Sequence, residues 1–479
     1  MLRSHALDGS VLVTTSTGDF AILPPAVADQ VLSDSVPFFS PHYEDLYARG
    51  LIQRPGDDGL RRLEAAVLRT RKAFASEGPS LHIFVVTLRC DHSCQYCQVS
   101  RAAVNASGFD MGRDDALAGV DRVFESPSHH LTIEFQGGEP VLRFDRVKEI
   151  VLAAEDRNAH EGRDLRFTMA TTLHHLTSED LVFCRDHGIH LSTSIDGPRE
   201  QHTKQRVNPT RDSFERTVIA LEHARSVVGQ DGVAALPTVT RATLGTPEAI
   251  VDTYRALGFR ALFLRSLSPY GFAAKTKRSL GYSTAEFMAF YEHALTYILK
   301  LNQQGEDFVE TNAAMLLRHI LTPFHSGYMD LRSPAGAGLG TLVYNYDGRA
   351  YPTDEARMAA ETGDRRFELG SVHQPLDELL TSPGMRYLGP GMIAEVLPGC
   401  SQCAFVPYCG ADPVHQAVTR GDPAADPLGG DFCEKQMGMF RVLFRHIAAG
   451  DPETLRTFAS WALNRPRNTV SETVWGELQ

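Results

Sequence analysis

The sequence lacks any apolar run close to the roughly 20 residues that a membrane-spanning helix requires. It also lacks an excess of positive charge, since 47 Lys and Arg face 59 Asp and Glu, for a formal net charge of −12. An acidic balance of this size argues against a nucleic-acid-binding protein. The opening segment, MLRSHALDGS, lacks the basic-then-apolar order of a secretory signal. We therefore expect a cytoplasmic protein that has neither a membrane nor a nucleic acid as partner.

The remaining composition is that of an ordinary globular protein of two or three domains. The 479 residues are 43% hydrophobic and 22% charged, and a chain of this length builds its core without cross-links. Because a reducing cytoplasm disfavours disulfides, closely spaced cysteines indicate metal sites. Cys184, alone in an apolar helical stretch, is predicted to be a buried free thiol. The other seven of the eight cysteines fall into two groups, which are Cys90, Cys94 and Cys97, and Cys400, Cys403, Cys409 and Cys433.

Between residues 81 and 265, β-prone runs alternate with helical patterns. Six such units predict an α/β fold with a parallel sheet and helical crossovers, either an open barrel or a doubly wound sheet. In both arrangements ligands bind at the carboxyl ends of the strands, and the motifs described below follow those ends. The predicted strands are 81–88, 131–136, 165–172, 189–195, 233–239 and 260–265.

The segments that flank this alternating region have different patterns. Residues 1–78 contain a predicted hairpin, VLVTT and FAILP around a Gly-containing turn, followed by helical patterns. Residues 281–329 are predicted to be linking helices, and residues 441–479 closing helices. Residues 330–440 are rich in Gly and Pro and carry the second cysteine group. We therefore predict five parts, with the alternating region spanning 79–280.

The two cysteine groups differ in the chemistry that they allow. The first, C-D-H-S-C-Q-Y-C, places three thiolates within eight residues, which suits three irons of a cubane cluster and leaves the fourth iron open. The alternative is a zinc site completed by His92, although a second Cys or His pair is missing nearby. The second group supplies four thiolates for one closed site, compatible with structural zinc or with a [4Fe–4S] cluster.

The first group resembles the signature of the radical S-adenosylmethionine (SAM) superfamily, C-x₃-C-x₂-C with an aromatic residue before the last cysteine. GGEP (137–140) after the second strand resembles the family's SAM amino-group motif, and SIDGP (194–198) after the fourth resembles S-[LI]-D-G-P. The resemblance implies a partial (β/α)₆ barrel, a [4Fe–4S] cluster on Cys90, Cys94 and Cys97, and reductive cleavage of SAM to a 5′-deoxyadenosyl radical. It implies that SAM is contacted by Tyr96, Gly137, Gly138, Glu139, Thr172, Ser194, Asp196 and Arg206.

Some of these roles have plain structural alternatives. Arg206 ends an H-x₃-R that begins at His202 and resembles the pattern of peptide-modifying members, but it is also explained as a solvated surface charge. Thr172 is nearly as well explained as an ordinary β-branched strand residue. His174 and His175 are predicted to be packing or capping residues. The residues identify no catalytic proton donor or acceptor.

The second cysteine group resembles the SPASM extension of peptide-modifying radical SAM enzymes, with the NYDGRAYP hairpin (345–352) as a further likeness. A full SPASM domain binds two auxiliary clusters through seven cysteines. Here Ser333, Thr353 and Pro413 occupy positions where cysteine ligands are expected. The resemblance therefore implies one auxiliary [4Fe–4S] cluster, held by Cys400, Cys403, Cys409 and Cys433.

Across roughly residues 80–440 the sequence is similar to the His-Xaa-Ser system radical SAM maturases of the B type. This resemblance implies an oxidoreductase that cross-links a ribosomally made precursor containing His-Xaa-Ser motifs. Its implied partners are that precursor, a second radical SAM maturase and an external electron donor. One alternative is oxidation of a protein Ser or Cys side chain, as in anaerobic sulfatase maturation. A second is a non-catalytic scaffold that docks the precursor for its partner enzyme.

Overall fold

The computed structural model describes residues 1–54 and 56–471, and for residue 277 the backbone alone. The chain begins with a three-stranded antiparallel sheet in the order β1-β2-β3. The predicted hairpin is formed by β2 and β3, whereas β1 is an addition that carries little apolar signal. The bounds are β1 (Arg3–Leu7), β2 (Ser10–Thr14), β3 (Phe20–Leu23), α1 (Pro25–Leu32), α2 (Tyr43–Ala48) and α3 (Asp58–Arg71).

The alternating region follows, and most of its predicted strands are present. In chain order its elements are β4 (Leu81–Thr87), β5 (Arg89–Cys90), β6 (Ala102–Ala103), α4 (Arg113–Glu125), β7 (His130–Gly137), α5 (Phe144–Glu161), β8 (Asp164–Ala170), α6 (Ser178–Asp186), β9 (Ile189–Ser194), α7 (Arg199–Gln205), α8 (Ser213–Val228), β10 (Val233–Leu236), α9 (Pro247–Ala256), β11 (Ala261–Leu262) and α10 (Gly271–Leu280).

The last part of the described chain is mainly helical, with short strands between the helices. Its elements are α11 (Thr284–Gln303), β12 (Val309–Glu310), α12 (Thr311–Leu321), β13 (Thr341–Tyr344), β14 (Arg349–Tyr351), α13 (Asp354–Ala360), β15 (Gly370–Ser371), α14 (Leu376–Leu380), α15 (Pro383–Leu388), α16 (Pro413–Arg420), α17 (Asp431–Ala449) and α18 (Pro452–Leu463). The predicted closing helices are α17 and α18, and the end of that prediction, 472–479, lies outside the described residues.

A mixed sheet of eight strands organises the molecule, in the order β10-β9-β8-β7-β4-β13-β14-β15. Neighbouring strands from β10 to β13 are parallel, so the carboxyl ends of β4, β7, β8 and β9 lie along one edge. β4 is buried along almost its whole length, as is typical of a parallel strand covered on both faces. This order confirms the α/β class and brings the motif-bearing loops together.

The sixth predicted strand, 260–265, lies outside this sheet. Only Ala261–Leu262 has strand geometry, and it pairs with Val309–Glu310. A lone bridge from Thr238 to Arg265 connects it to the segment after β10. At the other end of the parallel strands, the place beside β4 is taken by β13, which comes from the Gly- and Pro-rich part of the chain. The prediction of six consecutive strand units in one sheet is therefore wrong in its last strand.

Local sequence signals fix where several helices begin. At the start of α6, Thr177 Oγ1 accepts from the Asp180 N–H, and the Asp180 carboxylate accepts from the Thr177 N–H. Ser283 and Glu286 make the same reciprocal pair at the start of α11. Such capping boxes satisfy two N–H groups that the first helical turn leaves unpaired. No helix in the described ranges is long and apolar enough to span a membrane.

The N-terminal sheet packs on the segment that carries the second cysteine group. Thr14 Oγ1 donates to Ala404 O at 2.9 Å, and Tyr408 Oη donates to Gly18 O at 2.8 Å. The Phe20 ring meets an α17 ring edge-on at 5.2 Å between centroids. Leu7, Leu12 and Phe20 are buried in the same core as the eight-stranded sheet. Part of the N-terminal sheet therefore belongs to the core of the large sheet, whereas Val13, Ala21 and Leu23 pack with α1 and α2 in a smaller separate cluster.

Candidate active site

The first cysteine group lies in the loop that leaves the large sheet after β4. Cys90, Cys94 and Cys97 are free, half-buried thiols. Burial raises the pKa of Cys90 well above its ordinary value and that of Cys94 to about 11. Three thiols on one short loop fit the donor set of a site-differentiated iron–sulfur cluster, because thiolate binding to iron offsets the cost of losing their protons.

Gly137 and Gly138 lie where the cysteine loop crosses the end of β7. The N–H groups of Gly138 and Glu139 donate to Thr87 O and Arg89 O, both at 2.8 Å. A Cβ on Gly137 would lie 2.0 Å from Thr87 O, and one on Gly138 would lie 2.2 Å from Arg89 O. The glycines therefore permit contact between two protein segments, whereas the sequence pattern had indicated close approach to a ligand. Substituting either would displace the cysteine loop.

The Glu139 carboxylate is held at the same edge by residues that follow β8. It accepts from Thr171 Oγ1 and from the Thr172 N–H, at 2.6 Å each, and from the Val141 N–H at 3.1 Å. Burial raises the pKa of Glu139. Thr172 is thus brought to the predicted site, but it contacts Glu139 through its backbone. A buried carboxylate with lone pairs to spare is a suitable acceptor for an ammonium group.

Tyr96, Asp196 and Arg206 form a hydrogen-bonded chain across the site. Tyr96 Oη donates to Asp196 Oδ2 at 2.6 Å and accepts from Arg206 Nη1 at 2.9 Å. Burial raises the pKa of Asp196, although the Arg206 guanidinium opposes this shift. Ser194 ends β9, where it pairs with Leu236 of β10. The structure therefore places the predicted SAM-contacting residues at one edge of the sheet, and the surface-charge alternative for Arg206 is wrong.

A polar network behind the cysteine loop was missed by sequence reasoning. Asp91 bridges two histidines, accepting at 2.9 Å from His92 Nδ1 and at 3.0 Å from His175 Nε2. His92 Nε2 and His202 Nε2 both lie 3.0 Å from Ser213 Oγ. The network joins the cysteine loop to the segment after β9, so His175 and His202 position these loops. The Asp-His pair inside the cysteine motif was the feature of the sequence that could have indicated this network.

His174 has a neighbouring structural role. Its Nε2 lies 2.9 Å from Thr217 Oγ1, in line with the predicted packing role. Potential ligand atoms of Asp91, His92 and His174 lie within 4.8 Å of one another. Both ring nitrogens of His92 already have partners, Asp91 and Ser213. These contacts argue against the zinc alternative in which His92 completes the site.

The second cysteine group lines a small cavity of its own. Cys400, Cys403, Cys409 and Cys433 all contribute to the cavity wall, and all four are free and half-buried. Burial raises the pKa of Cys409 well above its ordinary value, and charges on the other three thiols add to the shift. Four cysteines on the wall of one cavity, which Asp412 also lines, fit either a structural zinc ion or a closed four-iron cluster.

The three non-cysteine residues at expected ligand positions have structural roles. Ser333 Oγ accepts from the Ala394 N–H at 3.0 Å. Thr353 Oγ1 caps α13 by accepting from the Ala356 N–H at 3.1 Å. Pro413 occupies the first turn of α16, where its missing N–H is without cost. These positions therefore serve as caps and turns. Cys184 is fully buried, in agreement with the predicted free thiol.

A cavity of about 550 Å³ lies between the two cysteine sites. On one side it is lined by Gln136, which precedes Gly137, and by Tyr270. The residue two places after Tyr270, Phe272, donates its N–H to Cys97 O at 2.8 Å. On the other side, Asp412 and Gln436 line both this cavity and the four-cysteine cavity. We name it the central cavity; it is large enough for an amino-acid side chain with part of its backbone.

Comparison with known proteins identifies the class to which this site belongs. Residues 84–252 match the Radical SAM superfamily, and this range contains the first cysteine group and all the predicted SAM-contacting residues. The chain therefore contains a radical SAM domain and is a radical SAM enzyme. Members of this superfamily use a [4Fe–4S] cluster and SAM, and the donor set described above fits both.

One curated protein and several solved structures are similar to this chain. The chain is 24% identical over 288 residues to the cysteine-type anaerobic sulfatase-maturating enzyme of Clostridium perfringens (strain 13 / Type A), covering 57% of this chain and 74% of the relative. The structure of native anSMEcpe with bound AdoMet matches with a TM-score of 0.64 at 17% identity, covering 77% of this chain and 98% of that one. Streptococcus suis SuiB bound to precursor peptide SuiA matches with a TM-score of 0.53 at 14% identity, covering 88% and 96%. The structural matches establish a shared fold.

Proposed function

We propose that this protein is a peptide maturase that oxidatively modifies, by cross-linking, a ribosomally made precursor containing His-Xaa-Ser motifs. The observation that carries the proposal is the central cavity, which lies between the radical SAM cysteine loop and the four-cysteine site. A substrate side chain held there would face a radical source on one side and an electron acceptor on the other. The solved relatives support a peptide substrate, since SuiB is bound to its precursor peptide SuiA and anSMEcpe to the Kp18Cys peptide.

The chain's own residues would bind and orient the reactants. When bound, the cluster and SAM together supply a 5′-deoxyadenosyl radical that abstracts hydrogen from substrate. We assign the cluster to Cys90, Cys94 and Cys97, the SAM ammonium to Glu139, and the SAM carboxylate to Arg206. Because such a radical is indiscriminate, the walls of the central cavity must hold one C–H bond in position and exclude water. We propose that a second radical SAM maturase and an external electron donor act as partners of this protein.

The substrate is tested by co-expression with a ribosomally made precursor that contains His-Xaa-Ser motifs, followed by mass mapping of the recovered peptide. A cross-link formed with loss of two hydrogens per His-Xaa-Ser motif is expected, with fragmentation suppressed between His and Ser. Replacing the motif His with Ala in the precursor should abolish the loss. A gain of a methyl group or of sulfur, or an unchanged reaction without the His, would contradict the assignment.

The relationship to the cysteine-type sulfatase-maturating enzyme favours a second candidate, oxidation of a protein Ser or Cys side chain to an aldehyde. Ser333, Thr353 and Pro413 count against this candidate. Anaerobic sulfatase-maturating enzymes resemble the full SPASM pattern of seven cysteines, and this chain has no cysteine at these three positions. Incubation with the Kp18Cys peptide, which is bound in a structure of native anSMEcpe, separates the candidates. Aldehyde formation, trapped with a hydrazide, would favour the second candidate, and an unmodified peptide the first.

The number of clusters gives a test that does not depend on the substrate. We propose one auxiliary [4Fe–4S] cluster on Cys400, Cys403, Cys409 and Cys433. Changing Cys90, Cys94 and Cys97 together to Ala should abolish 5′-deoxyadenosine formation and remove about half of the iron, leaving about four irons per chain. Iron, sulfide and zinc analysis of the reconstituted protein provides the measurement. About eight irons remaining, or zinc in their place, would refute the single auxiliary cluster.

A further inference from the structure

The walls of the central cavity carry more negative than positive side chains. Among the described residues that line it, six are carboxylic acids and two are Lys or Arg. The two cations are Arg265 and Lys435, and Lys435 Nζ donates to Ser266 Oγ at 3.0 Å. Both cations come from elements packed against the acidic wall, and they leave an excess of carboxyl groups. The six acids are Glu134, Asp330, Asp354, Glu355, Asp412 and Asp431.

The negative charges of neighbouring acids raise the pKa of two of these acids. Burial raises the pKa of Glu355 to about 8, and charges on Asp330, Asp354 and Asp412 add to the shift. Burial likewise raises the pKa of Asp412 to about 7, again with a contribution from Asp330. Carboxylates that had enough nearby countercharge would show the opposite shift. The Lys435 ammonium lowers the pKa of Asp412 but does not reverse the shift, so Asp330, Glu355 and Asp412, which we name the acidic triad, have fewer cations near them than carboxyl groups.

Uncharged side chains in the same cavity also lack partners. Tyr270 Oη, Gln436 Oε1 and Thr341 Oγ1 are buried without a hydrogen-bond partner in the part of the chain that the structure describes. The three residues are only 4%, 5% and 3% exposed. Burial raises the pKa of Tyr270, and the negative charges of the triad raise it further. Buried polar atoms in proteins are nearly always paired, and these atoms line a cavity.

We propose that the acidic triad and Tyr270 bind the cationic side chain of a Lys, Arg or protonated His residue in the peptide substrate. The inference rests on the proposed function, because it requires a peptide. Carboxylates and an amide oxygen only accept hydrogen bonds, and an ammonium, guanidinium or imidazolium group only donates them. The cation would offset part of the negative charge of the triad and donate hydrogen bonds to Tyr270 Oη and Gln436 Oε1. A volume of about 550 Å³ accommodates a side chain and exceeds what a single metal ion fills.

Charge-matched probes test this assignment without turnover. The reconstituted protein with SAM is titrated calorimetrically with acetyl-Gly-Arg-Gly-amide and with its citrulline counterpart, which has nearly the same shape without the charge. We expect the Arg peptide to bind at least about tenfold more tightly, because the difference reports a partly desolvated charge interaction. In the double variant Glu355→Gln, Asp412→Asn, the preference should fall below about threefold.

The variants are chosen to preserve the fold. Asn at position 412 keeps the side-chain oxygen that accepts from the His415 N–H at 2.9 Å. Tyr270→Phe removes a hydroxyl that has no described partner, so it should weaken binding of the Arg peptide without lowering stability. Glu222→Gln is the matched control, because Glu222 is an exposed residue of α8 outside the cavity. The control should keep the full preference for Arg.

Equal binding of the Arg and citrulline peptides, or an unchanged preference in the double variant, would overturn the proposal. Calcium binding that the double variant loses would reassign the cavity to a divalent cation and overturn it as well. Either result is compatible with precursor modification in the co-expression experiment, so the proposed function would survive. Conversely, charge selection without any precursor modification would retain the cation site and reject the maturase assignment.

Discussion

At the scale of single residues, the site consists of buried polar groups that depend on one another. The sequence placed Tyr96, Asp196 and Arg206 in the site because each belongs to a motif at a strand end. It did not predict that the Tyr96 hydroxyl joins the other two, since that contact depends on side-chain direction across separate loops. The sequence did not predict the acidic triad for a related reason, because its members are spread over residues 330–412 and belong to no motif.

Tyr96→Phe tests this dependence. Losing the hydroxyl removes one partner each from the buried Asp196 and Arg206 groups, so the free energy of unfolding should fall by about 1–3 kcal/mol. Tyr297→Phe is the matched control, because the Tyr297 hydroxyl donates at 2.8 Å to Asp252 on an exposed surface. That change should cost below about 0.5 kcal/mol. Denaturant unfolding of both variants gives the measurement. Equal decreases in the free energy of unfolding would show that the Tyr96 hydrogen bonds stabilise the protein no more than an exposed one.

At the scale of elements, the strand ends were predictable and the sheet neighbours were not. Alternating strand and helix patterns located β4, β7, β8, β9 and β10, because parallel strands and crossover helices leave a clear periodic signal. β13 pairs with β4, which is more than 250 residues away in sequence. Long-range pairing of this kind leaves no local signal.

His82 links these two strands and gives a pH test of their pairing. Its Nδ1 lies 2.9 Å from Tyr344 Oη, and burial lowers the pKa of His82 from 6.5 to about 4. The unfolded chain therefore binds the proton first, and this contribution to stability is lost as pH falls from about 6.5 towards 4. Between pH 7.5 and 5.5, His82 should account for about 1 kcal/mol of the decrease.

The measurement compares urea unfolding of wild type and His82→Gln at the two pH values. The Gln variant should start less stable but lose about 1 kcal/mol less on acidification. His190→Gln serves as the control, because His190 is an exposed residue of β9, and it should keep the wild-type pH dependence. The same acid sensitivity in His82→Gln and wild type would contradict the assignment.

At the scale of the whole molecule, the two cysteine sites are held apart by a shared framework. β13 continues the large sheet into the Gly- and Pro-rich part of the chain, and the central cavity is closed by residues from both parts. The N-terminal sheet supports the outer wall of the four-cysteine site through Thr14, Gly18 and Phe20. The sequence indicated a separate N-terminal module, because hairpin and helix patterns describe local structure and carry no information about what the module packs against.

Phe20→Ala tests whether this sheet is an independent unit. Phe20 is 5% exposed and lies in the core shared with the large sheet, so its removal should lower the free energy of unfolding by about 3–5 kcal/mol. Because the core is shared, far-UV circular dichroism and the absorbance of iron bound at the four-cysteine site should change in the same transition. Phe39→Ala is the matched control, since Phe39 is 89% exposed, and should cost below about 0.5 kcal/mol. A separate early transition that spares the iron absorbance would instead identify residues 1–78 as a domain that folds on its own.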